Sequence, residues 1–128
     1  DLLVETMEER GVEVIVGALR DPSFGLVIMF GLGGTLAELY QDVTFRLIPI
    51  SRADAESMLE DLRGRALLEG FRGTEVSREA LVDVLLAVSR LAESWGPTLV
   101  QMDLNPVFAR AHDAVVVDAK LLLSREVA

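Results

Sequence analysis

Two neighbouring segments near the C-terminus alternate as β-strands do, and they constrain the fold more than any other feature of the sequence. In the first, Thr98 to Asn105, one face carries Val100, Met102 and Leu104, and the other carries Gln101, Asp103 and Asn105. The second, Ala114 to Leu122, follows a turn at Arg110 to Asp113. Strand side chains alternate between the two faces of a sheet. The polar stripe therefore indicates that one face of the sheet lines a wet cleft.

The two segments also bring oxygen-bearing side chains together. If the turn is centred on Ala111 and His112, Asn105 lies opposite Asp118, with the two β-carbons about 5 Å apart. With Asp103 beside them, they form a candidate site for a hard cation such as Mg²⁺. Lys120 shares the face of Asp118 and could meet a phosphate. Alternatively, these are ordinary solvent-facing strand residues, and a register slip of one residue would break the pairing.

The order of the other segments sets the fold class. Five strand-like segments come earlier in the chain and are separated by turn residues. They are Leu2 to Met7, Val12 to Leu19, Leu26 to Phe30, a strand around Leu36 to Tyr40, and Thr44 to Ile48. Two helices follow, one begun by Ser51 and closed at Gly64 in a left-handed conformation, the other running from Ser77 to Gly96. Their apolar stripes comprise Ala55, Met58, Leu59 and Leu62, then Leu81, Leu85, Val88, Ala92 and Trp95. We predict an α+β domain, with a mixed or antiparallel sheet and two main helices packed on one side.

Composition excludes several functions. The chain has 128 residues, enough for a single domain, and 51% of them are hydrophobic. The net charge of −9 argues against nucleic acid as a partner. Apolar runs are too short to span a bilayer, so we expect no membrane partner. The absence of cysteine excludes disulfides and is compatible with the cytoplasm.

A series of motifs resembles the ATP-grasp region of the NDP-forming acyl-CoA synthetases. The motifs, in order along nearly the whole chain, are Glu13 to Gly17, Arg20 to Gly25, Phe30 to Gly34, Asp42-Val43, Phe45-Arg46 with Pro49, Leu67 to Gly73, Asp103 to Pro106, and Val117 to Ala119. The layout is also similar to the nucleotide-binding subunit of succinyl-CoA synthetase. The resemblance implies the C-terminal half of an ATP-grasp domain, spanning residues 1–128, with ATP or ADP and Mg²⁺ as cofactors.

The resemblance implies roles for individual residues. Asn105 and Asp118 match the metal-binding pair, with Asp103 as a neighbouring acid. For the nucleotide, Glu5 and Met7 match the hinge strand that meets adenine, and Glu13 matches an acid near the ribose. Gly33 and Gly34 match a loop near the transferred phosphoryl group, and Arg46 matches a position that serves an anion or an interdomain contact.

The resemblance also implies partners. We expect a fragment of a longer ligase, in which the remaining ATP-grasp half and the CoA-binding and ligase domains complete the machinery, either in the same protein or in a partner subunit. Such enzymes form acyl-CoA, ADP and phosphate from an acid, CoA and ATP, through acyl-phosphate and phosphohistidine. The fragment alone should be inactive. Many relatives have Glu where this chain has Gln101, which leaves open a non-catalytic, ligand-sensing region of a protein acetyltransferase.

Two other features receive no catalytic role. The run Gly31 to Gly34 is not a dinucleotide fingerprint, because Leu36 replaces the third glycine. His112 lies in the expected hairpin turn outside any motif for a phosphate-accepting histidine. We therefore assign no catalytic residue within this chain.

Overall fold

The computed structural model describes residues 11–33, 42–70 and 75–125. In these ranges the strands are β1 (Val12–Asp21), β2 (Gly25–Leu32), β3 (Val43–Leu47), β4 (Leu99–Ala109), β5 (Ala114–Val116) and β6 (Ala119–Leu123), and the α-helices are α1 (Arg52–Glu60) and α2 (Arg78–Trp95). The strands form one sheet in the order β3-β2-β1-β4-β5, and β6 also pairs with β4. All the described pairings are antiparallel. The predicted fold class is confirmed.

One face of this sheet packs against the two helices. Alternate residues of the central strands point to it, and Val14, Val16, Ile28 and Phe30 are fully buried there. They share one core with the apolar stripes of α1 and α2. Burial of these side chains is the main favourable term that holds the helices on the sheet. We call this face the covered face.

Local hydrogen bonds fix where each helix begins. The Ser51 hydroxyl accepts from the Asp54 N–H at 3.1 Å, and the Asp54 carboxylate accepts from the Ser51 N–H at 2.9 Å. This capping box satisfies donors that the first turn of a helix leaves unpaired. The Ser77 hydroxyl accepts from the Ala80 N–H at 3.1 Å at the start of α2. Both predicted helix starts are confirmed.

The predicted left-handed ending of the first helix at Gly64 is wrong. Helix α1 ends at Glu60, and Asp61 caps it in a right-handed conformation. Gly64 has φ −89°, and a Cβ added there would lie 2.5 Å from Leu32 Cδ1. The Gly64 N–H donates to the buried Asp42 carboxylate at 2.7 Å. Glycine is needed here for close packing against β2, which local sequence does not reveal.

Two apolar residues expected in the core lie at the surface. Trp95, the last residue of α2, is 39% exposed at the end of the core stripe. Val100 is 38% exposed, and Leu99 is buried instead. The register between β4 and β6 shifts between Leu99 and Gln101, so the alternation of β4 breaks at Val100.

Some sequence predictions lie outside the described residues. These are the strands expected over residues 2–7 and 36–40, and the loop expected around Phe71 to Gly73. Among the helices in the described ranges, none is long and apolar enough to cross a membrane.

Candidate functional site

The second face of the sheet carries the candidate site. We call it the open face, because the helices pack on the other side. Phe45 and Leu47 of β3 are 49% and 56% exposed on it. The half of this face on β3 and β2 is apolar, and β1 lies between it and a polar half on β4 and β6. The polar half carries Gln101, Asp103, Asn105 and Lys120.

The hairpin register places Asn105 opposite Asp118, as the sequence predicted. Ala109 pairs with Ala114 on one side and Leu104 with Ala119 on the other. Between these pairs, the Asn105 N–H donates to the Asp118 carbonyl at 3.1 Å. Directly opposite residues in an antiparallel pair have Cα atoms about 4.5–5.5 Å apart. The amide of Asn105 and the carboxylate of Asp118 are therefore neighbours, and both residues are exposed.

A bulge in β4 orients Asn105. Val14 of β1 pairs with Val107, but Val16 pairs with Leu104, so Ile15 faces both Asn105 and Pro106. The extra residue shifts the alternation of β4, and Leu104 and Val107 both point into the core. Asn105 is consequently left on the open face. On the hairpin side the register is unbroken, and the Val117 N–H donates to the Pro106 carbonyl at 3.0 Å.

Asp103 lies two residues from Asn105 on the same strand face. It pairs with Gly17 of β1 on one side and with Lys120 of β6 on the other. Gly17 has no side chain, and a Cβ there would lie 3.2 Å from the Met102 carbonyl oxygen. The same Cβ would lie 3.6 Å from Met29 Cε, so the Met29 side chain of β2 reaches over the buried Gly17 beside Asp103.

The polar groups of this region are available to a ligand. Within the described ranges, the side chains of Asp103, Asn105, Asp118 and Lys120 have no hydrogen bond or ion pair to other protein groups. The same ranges contain no cluster of three or more His, Cys, Asp or Glu side chains suited to a metal ion. A cation here would take few protein ligands, including an amide oxygen, and would need others from a substrate.

Glu13 and Gly33 adjoin each other at one end of the open face. The Gly33 N–H donates to the Glu13 carbonyl at 2.8 Å. A Cβ at Gly33 would lie 2.8 Å from Glu13 Cγ and 3.1 Å from its Oε2, so the side chain of Glu13 runs across this glycine. Glu13 is also paired with Phe108 of β4. The other predicted nucleotide-binding residues, Glu5, Met7 and Gly34, lie outside the described residues.

Arg46 does not lie with the other candidate residues. It pairs with the buried Ile28 and therefore points to the covered face. Its guanidinium donates to the Ser57 hydroxyl at 3.0 Å and forms an ion pair with Asp61. Arg46 therefore joins β3 to the end of α1, on the side of the sheet away from Asp118. Its role at an anion or an interdomain contact stays a prediction.

Two features of this face were not predicted from the sequence. Asp103 lies directly opposite Lys120. This pairing follows from the same register that was predicted for Asn105 and Asp118. Gly17 leaves room for the Met29 side chain beside Asp103, and no local pattern distinguishes it from a glycine in any strand.

Comparison with known families decides the classification. Residues 1–123 match the family model of the ATP-grasp domain. The chain belongs to the ATP-grasp family. Among curated ATP-grasp relatives, it is 46% identical over 125 residues to the acetate–CoA ligase (ADP-forming) II subunit beta of Pyrococcus furiosus, covering 95% of this chain and 53% of that protein. It is 44% identical over 120 residues to acetate–CoA ligase (ADP-forming) II of Archaeoglobus fulgidus, covering 94% of this chain and 18% of that protein.

A solved structure shares this ATP-grasp fold. Acetyl-coenzyme A synthetase 1 of Ca. Korarchaeum cryptofilum, in complex with coenzyme A and Mg-AMPPCP, superposes with a TM-score of 0.84 at 47% identity, covering 89% of this chain and 54% of that chain. The phosphohistidine segment of that enzyme points towards its nucleotide-binding site. The present ATP-grasp chain thus spans about half the length of the Pyrococcus subunit and of the Korarchaeum chain, and less of the longer ligases.

Proposed function

We propose that this chain is the nucleotide- and magnesium-binding part of an ADP-forming acyl-CoA synthetase. The full-length enzyme would convert an acid, CoA and ATP into acyl-CoA, ADP and phosphate, through acyl-phosphate and phosphohistidine. One structural observation carries the proposal: Asn105 and Asp118 lie opposite each other on the open face, with unpaired side chains in the described ranges. The 46% identity to an acetate–CoA ligase subunit supports the reaction class.

The donor set fits Mg²⁺. This cation prefers carboxylate and amide oxygens, keeps several waters, and is commonly completed by substrate phosphates. In our proposal, Asp118 and Asn105 hold Mg²⁺, and Asp103 is the neighbouring acid. When bound, Mg²⁺ would neutralise phosphate charge and orient the phosphates. The chain's own residues would fix that position by rigid strand pairing, since ligands on strands are placed more firmly than ligands on loops.

The nucleotide would lie over the central strands of the open face. Glu13 is proposed to meet the ribose, since its carboxylate accepts hydroxyl hydrogen bonds. Gly33 packs against the Glu13 side chain and donates its N–H to the Glu13 carbonyl. On the family resemblance, it belongs to a loop near the transferred phosphoryl group, where other exposed N–H groups of a glycine-rich segment can bind phosphate oxygens. We extend the proposal, on the family resemblance, to Glu5 and Met7 at adenine and to Gly34 near the transferred phosphoryl group.

The rest of the machinery would lie elsewhere. We propose that residues 1–128 form one unit, the C-terminal half of the ATP-grasp domain. The remaining half and the CoA-binding and ligase domains would belong to the same protein or to a partner subunit. In this proposal the chain does not bind nucleic acid or a membrane. Since it has no cysteine to suit an oxidising compartment, we propose the cytoplasm as its location.

Gln101 does not shift the proposal towards a regulatory module. It is exposed, two residues from Asp103, and pairs with Leu122 of β6 and with Leu19 of β1. It is therefore farther from Asp118 than Asp103 is, along a strand that rises about 3.4 Å per residue. The curated relatives are named as ligases, so a non-catalytic region of a protein acetyltransferase is the less favoured function.

The test is an Asp118→Asn substitution in the full-length protein. We expect the affinity for ADP in the presence of Mg²⁺ to fall at least about tenfold, because a charged ligand to the metal is lost. Synthetase activity should fall with it. Calorimetric titration with ADP and Mg²⁺ measures the affinity.

The matched control is Asp83→Asn, the same chemical change at an exposed position of α2 where the carboxylate contacts only Arg52 among the described residues. It should leave ADP binding unchanged. If Asp118→Asn matches this control in both affinity and activity, the metal assignment is wrong. If the wild-type protein binds no nucleotide, the proposed function itself is wrong.

A further inference from the structure

Lys120 occupies a distinctive position on the open face. It pairs directly with Asp103 of β4, and Asp118 lies two residues before it on the same chain. Residues two apart in a strand share a face and are roughly 7 Å apart. Lys120 is therefore adjacent both to the neighbouring acid and to the proposed metal pair.

Lys120 is the one basic side chain on the open face of the described strands. Arg20 donates to the carbonyl oxygens of Leu99 and Gly96 at the C-terminal end of α2. Arg46 points to the covered face and binds Asp61. The open face otherwise presents the carboxylates of Glu13, Asp103 and Asp118. An anionic ligand would meet a single cation there, apart from any bound metal.

The ammonium group of Lys120 is exposed and available. Within the described ranges it makes no ion pair, even with Asp103 directly opposite. The four-carbon stem of Lys120 lets its three N–H donors reach over the strand. A polyphosphate held at Asp118 through a metal would lie within the space that this stem can sample.

We propose that Lys120 binds a phosphate oxygen of the nucleotide, and that Asp103 is the positioning residue of Lys120. The inference rests on the proposed function, because it assumes that a nucleotide occupies the open face. Asp118 and Asn105 then act on the phosphates through the metal, whereas Lys120 acts directly. The two contributions differ in one measurable respect, since the direct contact does not require Mg²⁺.

The experiment compares Lys120→Gln and Lys120→Arg in the full-length protein. Calorimetry would measure the binding of ADP with Mg²⁺, ADP with EDTA, and adenosine. A charge-assisted hydrogen bond corresponds to about tenfold to hundredfold in affinity. We expect Lys120→Gln to weaken ADP by that factor with either Mg²⁺ or EDTA, and to leave adenosine unchanged. Lys120→Arg should retain most of the ADP affinity, because it keeps the charge.

Controls separate this role from a structural one. Leu121→Ala changes the next residue of β6, which is exposed and points to the other face, and should leave all three affinities unchanged. Asp103→Asn should weaken ADP with EDTA present, and the loss should disappear in the Lys120→Gln background, because Asp103 acts through Lys120. Circular dichroism should show the same fold for every variant.

Several outcomes overturn the inference. Unchanged ADP affinity in Lys120→Gln excludes the phosphate contact, and an equal loss for adenosine shows that the effect is not through phosphate. If Asp103→Asn acts only when Mg²⁺ is present, Asp103 is a metal ligand and not a positioning residue. These results leave the proposed function standing so long as the wild-type protein binds ADP, so the two failures are distinguishable.

Discussion

The two faces of the same sheet follow different rules. On the covered face, Val14, Val16 and Phe30 are fully buried, and the buried side chains of β1 and β2 are all apolar. On the open face, one half carries apolar residues such as Met29, which lies between the covered-face residues of β2. Acids and amides occupy the other half. The first pattern is explained by packing against α1 and α2. The second is not explained by packing, and unpaired polar groups on a rigid sheet indicate a binding surface.

Strand β3 shows how far the contrast goes. Its apolar residues Phe45 and Leu47 are exposed on the open face, while Thr44 and Arg46 point to the helices. Thr44 is buried, and its hydroxyl donates to the Met58 carbonyl of α1 at 3.0 Å. The polar side chains of β3 therefore connect the sheet to α1. Hydrophobicity alone would assign the two faces of this strand the wrong way round.

The largest expected effect comes from truncating neighbours on opposite faces. Phe30→Ala should cost about 3–5 kcal/mol of stability, because it removes a fully buried ring from the core. Met29→Ala, one residue away on the open face, should cost about 1 kcal/mol or less. Hydrogen exchange of β1 and β2 amides in the full-length protein measures the local opening free energy.

The comparison of Phe30→Ala with Met29→Ala tests whether the covered face supplies most of the packing energy of the sheet. Similar protection of the amides in both variants would show that the open face is packed just as tightly, and the distinction between the faces would fail. A loss confined to Phe30→Ala would support it.

Much of the fold and part of the site could be predicted from sequence. The alternation of β4 and the turn at Arg110 to Asp113 define a hairpin whose register is set locally, and so Asn105 was placed opposite Asp118. The capping residues Ser51 and Ser77 likewise act through neighbours in the chain. Local rules are sufficient for features that local hydrogen bonds determine.

The errors come from long-range contacts. Gly64 was wrongly predicted to end the helix, because its close packing involves Leu32, a residue far away in sequence. Val100 was misplaced because the register shift beside it belongs to the pairing between β4 and β6. Each error depends on a partner that no local pattern identifies.

An intermediate effect is expected at the edge of the covered face, from Gly64→Ala. The added methyl group would lie 2.5 Å from Leu32 Cδ1 and 3.1 Å from Asp42 Oδ2. Overpacking of this kind costs about 1–3 kcal/mol. Thermal unfolding of the full-length protein, combined with hydrogen exchange of the turn after α1, measures the loss.

A double-mutant cycle identifies the cause. Leu32→Ala makes room for the added methyl group, so the cost of Gly64→Ala should be smaller in that background. If the two losses are simply additive, contact with Leu32 is not the reason that glycine is required, and the explanation given for the end of α1 is wrong.

The smallest expected effect is a change in stability at acid pH. It compares a carboxylate that begins α1, on the covered face, with a carboxylate in the turn that sets the register of the candidate site. Hydrogen bonds from Ser51, first from its backbone N–H and then from its hydroxyl, lower the pKa of Asp54 at the start of α1. A hydrogen bond from the Arg110 guanidinium lowers the pKa of Asp113 in the hairpin turn that sets the register of Asn105 and Asp118. Both carboxylates are more easily protonated in the unfolded chain, so each stabilises the folded state above the ordinary carboxyl pKa. That stabilisation is lost as the pH falls through the lowered folded pKa.

Asp54→Asn should flatten the acid dependence of amide exchange in α1 only, and Asp113→Asn should flatten that of the β4–β5 hairpin only. Asp113 is exposed and Asp54 is partly exposed, so each change should be small. A change in the other region would show that the two carboxylates are coupled across the sheet.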